Sequence, residues 1–401
     1  MLISIILAIF LGLIAGIIAG LIPGLHVNLI SLIVFNIFAS LSLADSFPVV
    51  IFLVSMATTS TFVDFIPSIF LGAPDEDTVL GVLPGHRFLL KGKGFAAIKL
   101  TVYGSLIALI IILILSPLFI LFLPSTYELI KKYIPIILIA ASLFLLMKEI
   151  KHKKFFWSLF LFLISGVLGF LSLSFHFVKQ PLLPLLGGLF GLGLLINSLF
   201  QNTRIPRQDF SEVKISKKEI FKASLASLIG SPLCSFLPGL GPSQAAVLGS
   251  SFFKKISHKG FLVLVGALNT IVMVLGFVAL YAIQKPRHGV AVVIEKIIEN
   301  FTLNKLILII LCVIFVGSLA AMITLVIARL IANKIYRVNY KLLSILVIIF
   351  IIILTLIFSG FTSILILIPA TAIGLLANLK EVRKMHLMGC LILPVIGWFL
   401  I

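Results

Sequence analysis

Polar side chains that could bind an ion stand inside an apolar stretch of this 401-residue chain. Asp64 is the most deeply embedded carboxylate, and Thr58 and Thr61 precede it in "SMATTSTFVDF". An ionisable group within a membrane helix is costly and usually functional, which predicts that Asp64 binds H⁺ or Na⁺. The alternatives are an acid at a helix end and hydroxyls that only bond the preceding turn. Asn269 and Thr270 lie at the corresponding point of a later apolar segment, so these two residues, with Thr58 and Thr61, are predicted to line a cavity that binds the substrate.

The tripeptide Pro-Gly-Leu interrupts two further apolar stretches. A proline lacks the N–H of a continuous helix and a glycine tolerates a turn, so a half-helix could begin at each break. Its free N–H groups and positive dipole end would favour an anion. The predicted binding residues are Pro23, Gly24, Leu25, His26 and Asn28 at the first break, and Pro238, Gly239, Leu240, Gly241, Ser243 and Gln244 at the second.

Purely structural interpretations of these breaks stay open. His26 could contact an anion or carry a proton, or it could only cap its own turn. Ser243 and Gln244 could cap the half-helix rather than touch a ligand. Two proline kinks in ordinary helices would also account for the pattern.

The composition predicts an all-α polytopic membrane protein. Hydrophobic residues make up 61% of the chain and charged residues 11%, against about 25% charged residues in soluble domains. Apolar runs of about 20 residues recur, which is the length that spans a bilayer. The three cysteines are isolated from one another, so we expect no disulfide framework and no metal site. No cofactor motif is present, and the first 21 residues lack the features of a signal peptide.

Basic residues alternate along the chain in the way that membrane topology requires. Most of the 31 lysines and arginines fall in six connections, within 87–99, 148–154, 204–222, 254–259, 329–341 and 380–384. We therefore predict that these connections are cytoplasmic and that both termini are outside. The predicted spanning segments are 48–71, 98–123, 130–149, 155–175, 181–200, 260–283, 305–333, 342–358, 361–380 and 386–401.

The two broken stretches then divide the chain into two inverted repeats. Residues 220–253 begin and end beside cytoplasmic charges, so they should form a re-entrant hairpin, and residues 2–43 should form one from outside or cross twice. Each repeat has one hairpin and five spanning helices, at 1–200 and 220–401, with a basic linker at 201–219. Pro238-Gly239-Leu240 repeats Pro23-Gly24-Leu25 at an offset of 215 residues. Inverted repeats with broken helices are typical of secondary transporters.

The same motifs resemble a known family, the large membrane subunit of the tripartite tricarboxylate transporters, in a short, archaeal-like form. The resemblance lies in "IPGLHVN", "LPGLGPSQAA", the loop "GAPDEDTVLGVLPGHRFLLKGKGFAA" and "PLLPLLGGLFGLGLLINSLF". Bacterial members have Asp-Gly where this chain has Pro84-Gly85. The resemblance implies uptake of a di- or tricarboxylate, with a small membrane subunit and an extracytoplasmic binding protein as partners.

Together these features predict a permease of the cytoplasmic membrane and not an enzyme. An organic anion would cross by alternating access, with H⁺ or Na⁺ as the coupling ion, and the basic linker could contact anionic lipid. The alternative is a flippase for a phosphorylated polyprenyl lipid, since a basic protein suits a lipid phosphate. The chain has no nucleophile–base spacing and no phosphate-binding glycine loop, which argues against an intramembrane enzyme.

Overall fold

The structure, a computed structural model, describes residues 2–22, 27–41, 46–72, 79–174, 178–200, 205–237, 241–253, 256–286, 288–298 and 300–400. All regular secondary structure in these residues is helical. The two predicted tips, Pro23–His26 and Pro238–Leu240, lie outside the described residues.

The helices fall into two successive series. The first comprises α1 (Leu2–Leu21), α2 (Val27–Leu41), α3 (Phe47–Val63), α4 (Phe65–Phe70), α5 (Val79–Leu90), α6 (Gly94–Ile130), α7 (Ile134–Met147), α8 (Phe155–Ser174), α9 (Leu182–Leu186) and α10 (Gly193–Leu199). The second comprises α11 (Lys217–Phe236), α12 (Pro242–Ser251), α13 (His258–Ile283), α14 (Gly289–Ile297), α15 (Leu303–Lys334), α16 (Tyr340–Ser359), α17 (Ile364–Leu379) and α18 (Gly389–Leu400).

Eight helical stretches of the described chain are long and apolar enough to cross a membrane: Leu2–Leu21, Phe47–Phe70, Gly94–Met147, Phe155–Ser174, His258–Ile283, Leu303–Arg337, Lys341–Ser359 and Phe361–Leu379. The multi-pass class predicted from composition is therefore confirmed. Two predicted spans, 98–123 and 130–149, instead form one helical stretch, because only a 3₁₀ turn separates α6 from α7. The predicted spans 181–200 and 386–401 are shorter apolar helices, and a π-helical turn, Gly187–Leu192, joins α9 to α10.

Helices α3 and α13 form the buried centre, and other helices pack closely on them. Helix α1 lies along α3 through glycines four residues apart, an arrangement that lets membrane helices approach closely. A Cβ on Gly16 would come within 2.5 Å of the Met56 carbonyl oxygen, and one on Gly20 within 2.8 Å of the Val63 Cβ. Since later residues of α1 face later residues of α3, the two helices run parallel.

Helices α11 and α12 form an antiparallel pair. A Cβ on Gly230 would come within 2.7 Å of the Ala245 carbonyl oxygen, while Gly249 lies against Ala226. Helix α12 has ten residues, or about 15 Å of rise, which is half the thickness of the hydrocarbon core. It therefore cannot cross a bilayer alone.

Six groups of basic residues meet at one end of the molecule, which we call the basic end. Arg87 Nη1 lies 3.3 Å from His258 Nε2, and Lys259 donates to the Lys214 carbonyl at 2.7 Å. The Arg207 guanidinium lies over the Tyr336 ring, and Lys154 and Arg383 form ion pairs with Glu381 and Glu149. Arg87, Lys148 and Arg383 line one cavity, which brings all six groups together. The predicted cytoplasmic connections thus lie together, and the side of the membrane that they face stays a prediction.

The two central helices run in opposite directions. Helix α13 begins at His258 at the basic end. The α3–α4 unit finishes there, since Phe70 lies 3.0 Å from the Cβ position of Gly94, whose N–H donates to Gln208 of the linker at 2.7 Å. Contacts between the halves are reciprocal: α6 packs on α13 and α15 on α3, while α2 packs on α14 and α12 on α5. Reciprocal contacts are what an inverted repeat requires, and the repeat itself stays a prediction.

Candidate functional site

Asp64 lies at a break in the central helix of the first half. Helix α3 ends at Val63 and α4 begins at Phe65. The break has a local cause, because Pro67 has no N–H to offer the Val63 carbonyl four residues earlier. Asp64 is 7% exposed, so its carboxylate lies inside the protein. The interruption is one residue long, because the Asp64 N–H still donates to the Ser60 carbonyl at 3.0 Å and the Asp64 carbonyl accepts from the Ser68 N–H at 3.3 Å. The sequence thus places an acid next to the Val63 carbonyl, which has lost its regular partner.

Asn269 of α13 packs against this break. Its Nδ2 lies 3.3 Å from Asp64 Oδ2 and 3.5 Å from the Thr61 carbonyl oxygen. Asn269 is 3% exposed, so the contact is closed to bulk water. Which amide atom faces Asp64 is an assignment, and the flipped amide would present Oδ1 instead. In that orientation a carboxylate, a backbone carbonyl and an amide oxygen converge, which is a donor set for a hard cation.

The hydroxyls around Asp64 bond within their own helices. Thr58 donates to the Val54 carbonyl at 2.7 Å, and Thr61 donates to that of Thr58 at 2.8 Å. In α13, Thr270 donates to the Gly266 carbonyl at 3.3 Å. These bonds match the alternative given in the sequence analysis, in which the hydroxyls only bond carbonyls of the preceding turn. The substrate role predicted for Thr58, Thr61 and Thr270 stays a prediction.

The second break leads into α12 with a built N-terminus. Gly241 precedes Pro242, the first residue of the helix, and its N–H donates to Gln244 Oε1 at 3.0 Å. Gln244 is completely buried, and among the described residues its Nε2 has no hydrogen-bond partner. Gln244 therefore caps the helix, as one interpretation of the sequence predicts, and keeps an amide donor available. The backbone of Ser243 lies in the first turn of α12.

The first break leads into α2, whose Asn28 meets an element that the sequence did not connect with it. A Cβ on Gly289 would come within 2.6 Å of the Asn28 Cγ, so α14 begins directly against Asn28. His288 fixes this end of α14: its Nδ1 accepts from the Ala291 N–H at 3.2 Å, and its Nε2 lies 2.9 Å from the Met273 carbonyl. The only sequence signal was a His-Gly pair before an apolar turn.

Helix α1 runs toward the basic end up to the first break, and helix α2 runs back from the break in the opposite direction. Gly20 of α1 lies against Val63 and Asp64, close to the Asn269 contact. Helix α14 leads away from the basic end, since it begins beside Met273 in the middle of α13 and its last turn lines a cavity with Leu280 near the end of α13. Helix α2 runs the same way, since Asn28 lies at the start of α14 and the Phe35 ring lies 5.6 Å from Lys296 near its end. Pro23, Gly24, Leu25 and His26, like Pro238, Gly239 and Leu240, lie outside the described residues, so their predicted contacts stay predictions.

Two carboxylates at the basic end bind residues of neighbouring elements. Glu219 of α11 accepts from the Ser257 hydroxyl at 2.8 Å and from its N–H at 3.1 Å. The hydroxyl bond holds the pKa of Glu219 below its ordinary value. Glu149 is buried and receives both Arg383, at 3.2 Å, and His386, at 3.3 Å. Sequence reasoning missed this cluster because more than 200 residues separate its members. Among the described residues, no three metal-ligating side chains cluster.

Comparison with known proteins places the chain in a family. Residues 6–389 match the tripartite tricarboxylate transporter TctA family. An uncharacterized protein from Methanocaldococcus jannaschii is 32% identical over 369 residues, which cover 87% of this chain and 88% of the relative. No solved structure matches the chain. Since the family match spans nearly the whole sequence, including Asp64, Asn269 and both breaks, the chain belongs to the tripartite tricarboxylate transporter TctA family, whose members are membrane components of transporters.

Proposed function

We propose that this protein is the permease of a secondary transport system that moves an organic anion, a di- or tricarboxylate, across the cytoplasmic membrane. Alternating access would be driven by H⁺ or Na⁺, with the basic end in the cytoplasm. The observation that carries this proposal is the contact between Asp64 and Asn269, where the oppositely directed central helices of the two halves meet beside a helix break. A small membrane subunit and an extracytoplasmic binding protein would complete the system, as the family name implies.

The inverted repeat with two re-entrant hairpins is part of this proposal. Helices α1 and α3 are parallel, α12 is too short to cross, and it returns along α11 to the basic end. Helix α2 leads in the other direction, beside α14. One hairpin would thus enter from each side, which is the architecture of many secondary transporters. Irregular backbone at the tips is tolerated where protein or a water-filled cavity covers it.

The anion would bind at the half-helix N-termini that follow the two breaks. At α12 the first-turn N–H groups, the dipole and the buried Gln244 Nε2 all favour a negative group. Gly24 and Gly239 would allow the backbone to approach the ligand, with Asn28, Gly241 and Ser243 beside it.

The coupling ion would bind at Asp64. A buried carboxylate beside an amide and a backbone carbonyl can take up a proton, or it can bind Na⁺ when the Asn269 oxygen faces it. Either ion neutralises the carboxylate. Because Asp64 and Asn269 belong to different halves, the charge state of Asp64 bears on how the halves pack.

Uptake into proteoliposomes tests the proposal. Labelled di- and tricarboxylates are offered under a proton or sodium gradient, with the extracytoplasmic binding protein added where its gene accompanies this one, and a polyprenyl phosphate is offered in parallel. Gradient-driven accumulation of a carboxylate supports the permease. Transbilayer movement of the polyprenyl phosphate alone would replace it with the flippase, which no contact in the described structure favours.

A further inference from the structure

A cavity of about 370 Å³ at the basic end is lined by five basic side chains. It lies where α5, the second half of α12, the start of α13 and the segment before α18 meet. The basic residues on its wall are Arg87, Lys148, His258, Arg383 and Lys384. No aspartate or glutamate is among the described residues that line it. Its size falls in the range of small-molecule sites.

Among the described residues, the cations around this cavity have few negative partners. Glu149 lies behind the wall, and its carboxylate is shared by Arg383 and His386. Lys148 donates to the Ser251 hydroxyl, Lys384 donates to the Phe190 carbonyl at 3.1 Å, and Arg87 lies against the His258 ring. All three of these partners are neutral or basic. Among the described residues, no carboxylate lies within ion-pair distance of Arg87, Lys148 or Lys384.

Several positive charges facing one partly closed space repel one another and attract an anion. The crowding is visible at Lys148, whose pKa is lowered by burial and by the charge of Arg383. Lys384 is 6% exposed, and burial lowers its pKa to about 7, so its charged form is poorly solvated and a nearby anion would stabilise it. A bound anion with two or more negative charges would offset both costs. Arginine and lysine together suit such a ligand, because arginine offers a planar fork of donors and lysine a point charge.

We propose that this cavity is a binding site for a small oxyanion with at least two negative charges, a polycarboxylate or a phosphate group. The site is separate from the one proposed for transport, since the cavity touches Val247 and Ser250 near the end of α12, whereas Gly241 and Gln244 lie at its beginning. An anion in the cavity would hold the same helix whose other end faces the transported anion. Free anions and the headgroups of anionic lipids both have the required chemistry.

Binding is tested on the purified full-length chain in nanodiscs of neutral phosphatidylcholine, with pyrophosphate and citrate as probes in isothermal titration. We expect both Arg87→Gln and Lys148→Gln to weaken binding about tenfold or more, because each removes one charge from the wall. Lys341→Gln is the matched control, since Lys341 is an exposed cation at the same end but outside the cavity. Thermal unfolding without the probe shows that each variant is folded.

A second arm identifies the source of the ligand. Nanodiscs containing phosphatidic acid are compared with neutral ones. If the anionic lipid blocks pyrophosphate and the block is lost in Lys148→Gln, the occupant is a lipid headgroup; if the lipid has no effect, it is a free anion. Either result supports the site.

Three results would overturn the site: no binding of either probe or of the lipid, binding unchanged in both cavity variants, or equal losses in Lys341→Gln. Gly239→Val separates this site from the transport site. If Gly239→Val loses probe binding while Arg87→Gln and Lys148→Gln keep it, the probe binds at the transport site. That result would overturn the cavity site and leave the transport proposal intact.

Discussion

Replacing Asn269 with alanine should change the affinity for the coupling ion, downward for Na⁺ and upward for H⁺, without weakening binding of the transported anion. The side chain contacts both Asp64 Oδ2 and the Thr61 carbonyl oxygen, and both partners are buried. Water cannot readily replace a group removed from such a site. Loss of a hydrogen bond to a charged group costs about 1.5–3 kcal/mol, which is roughly a 10- to 150-fold change in affinity.

The assay is anion uptake into proteoliposomes as a function of external Na⁺ or pH. For Asn269→Ala we expect the half-saturating Na⁺ concentration to rise by about 10- to 150-fold if Na⁺ is the coupling ion, because an oxygen ligand is lost. If H⁺ is the coupling ion, the half-saturating proton concentration should fall by a similar factor, because the Asp64 carboxylate loses the amide donor that stabilises its charged form. The anion Kd at saturating ion should stay within about twofold in both cases. Asp64→Asn should abolish gradient-driven accumulation and spare anion binding or exchange, because the neutral side chain cannot change its charge state.

Asn378→Ala is the matched control for this prediction. Asn378 also donates from one membrane helix to the backbone of another, at 2.7 Å from the Gly193 carbonyl oxygen, but it lies in α17 away from Asp64. Its loss should cost stability alone, by about 1 kcal/mol. The coupling role fails if both asparagine variants change ion dependence equally, or if Asp64→Asn still accumulates the anion.

Four further predictions follow from named contacts. Cysteines that replace the exposed residues Glu212 and Phe252 should react with an impermeant thiol reagent from the cytoplasmic side only. A cysteine that replaces Gln284 should react from the outside only. Labelling of position 252 from outside would show that α12 crosses the membrane. Gly16→Leu should lower the melting temperature by forcing α1 from α3, at a cost of about 1–3 kcal/mol or more, whereas Gly397→Ala, with open space around its Cβ position, should be neutral. Because the pKa of Glu219 is lowered from 4.5, its stabilising contribution is present above pH 4.5 and is lost as the pH falls through its folded-state value; in Glu219→Gln the melting temperature should therefore lose part of its acid dependence, and an unchanged acid profile would contradict this. Gly24→Val and Gly239→Val should each weaken anion binding by roughly 10- to 150-fold in folded protein, whereas lower stability at unchanged affinity would favour two proline kinks.

The membrane class, and the idea that the two central helices are counterparts in the two halves, could be predicted from the sequence. Apolar runs predicted helices because backbone groups in a bilayer must bond within the segment, and the charge pattern grouped the six connections that meet at the basic end. The echo between the halves brought "SMATTSTFVDF" and the Asn269 segment together as counterparts. The structure places Asn269 beside Asp64, although neither polarity nor spacing predicts a direct contact between them.

Other parts of the site could not be predicted, for identifiable reasons. Glu149 and His386 meet across two distant connections, and no periodicity links residues so far apart. The start of α14 reaches Asn28 only because Gly289 has no side chain there. The sequence left open whether Thr58 and Thr61 face a ligand or bond the preceding turn. Both bond carbonyls in their own helix, and this outcome depends on what the opposite helix offers.

The position of Asp64 gives the proposed coupling a mechanical basis. Helices α3 and α13 run in opposite directions and belong to different halves, and Asn269 touches Asp64 where they meet. A rocking movement of one half against the other would have to change this contact. Burying the charged Asp64 carboxylate at this contact costs free energy. A bound ion neutralises the carboxylate and so lowers the free energy of the arrangement of the halves in which the site is closed. The free energy of ion binding would then favour one arrangement of the halves, which is the property that a gradient-driven transporter needs.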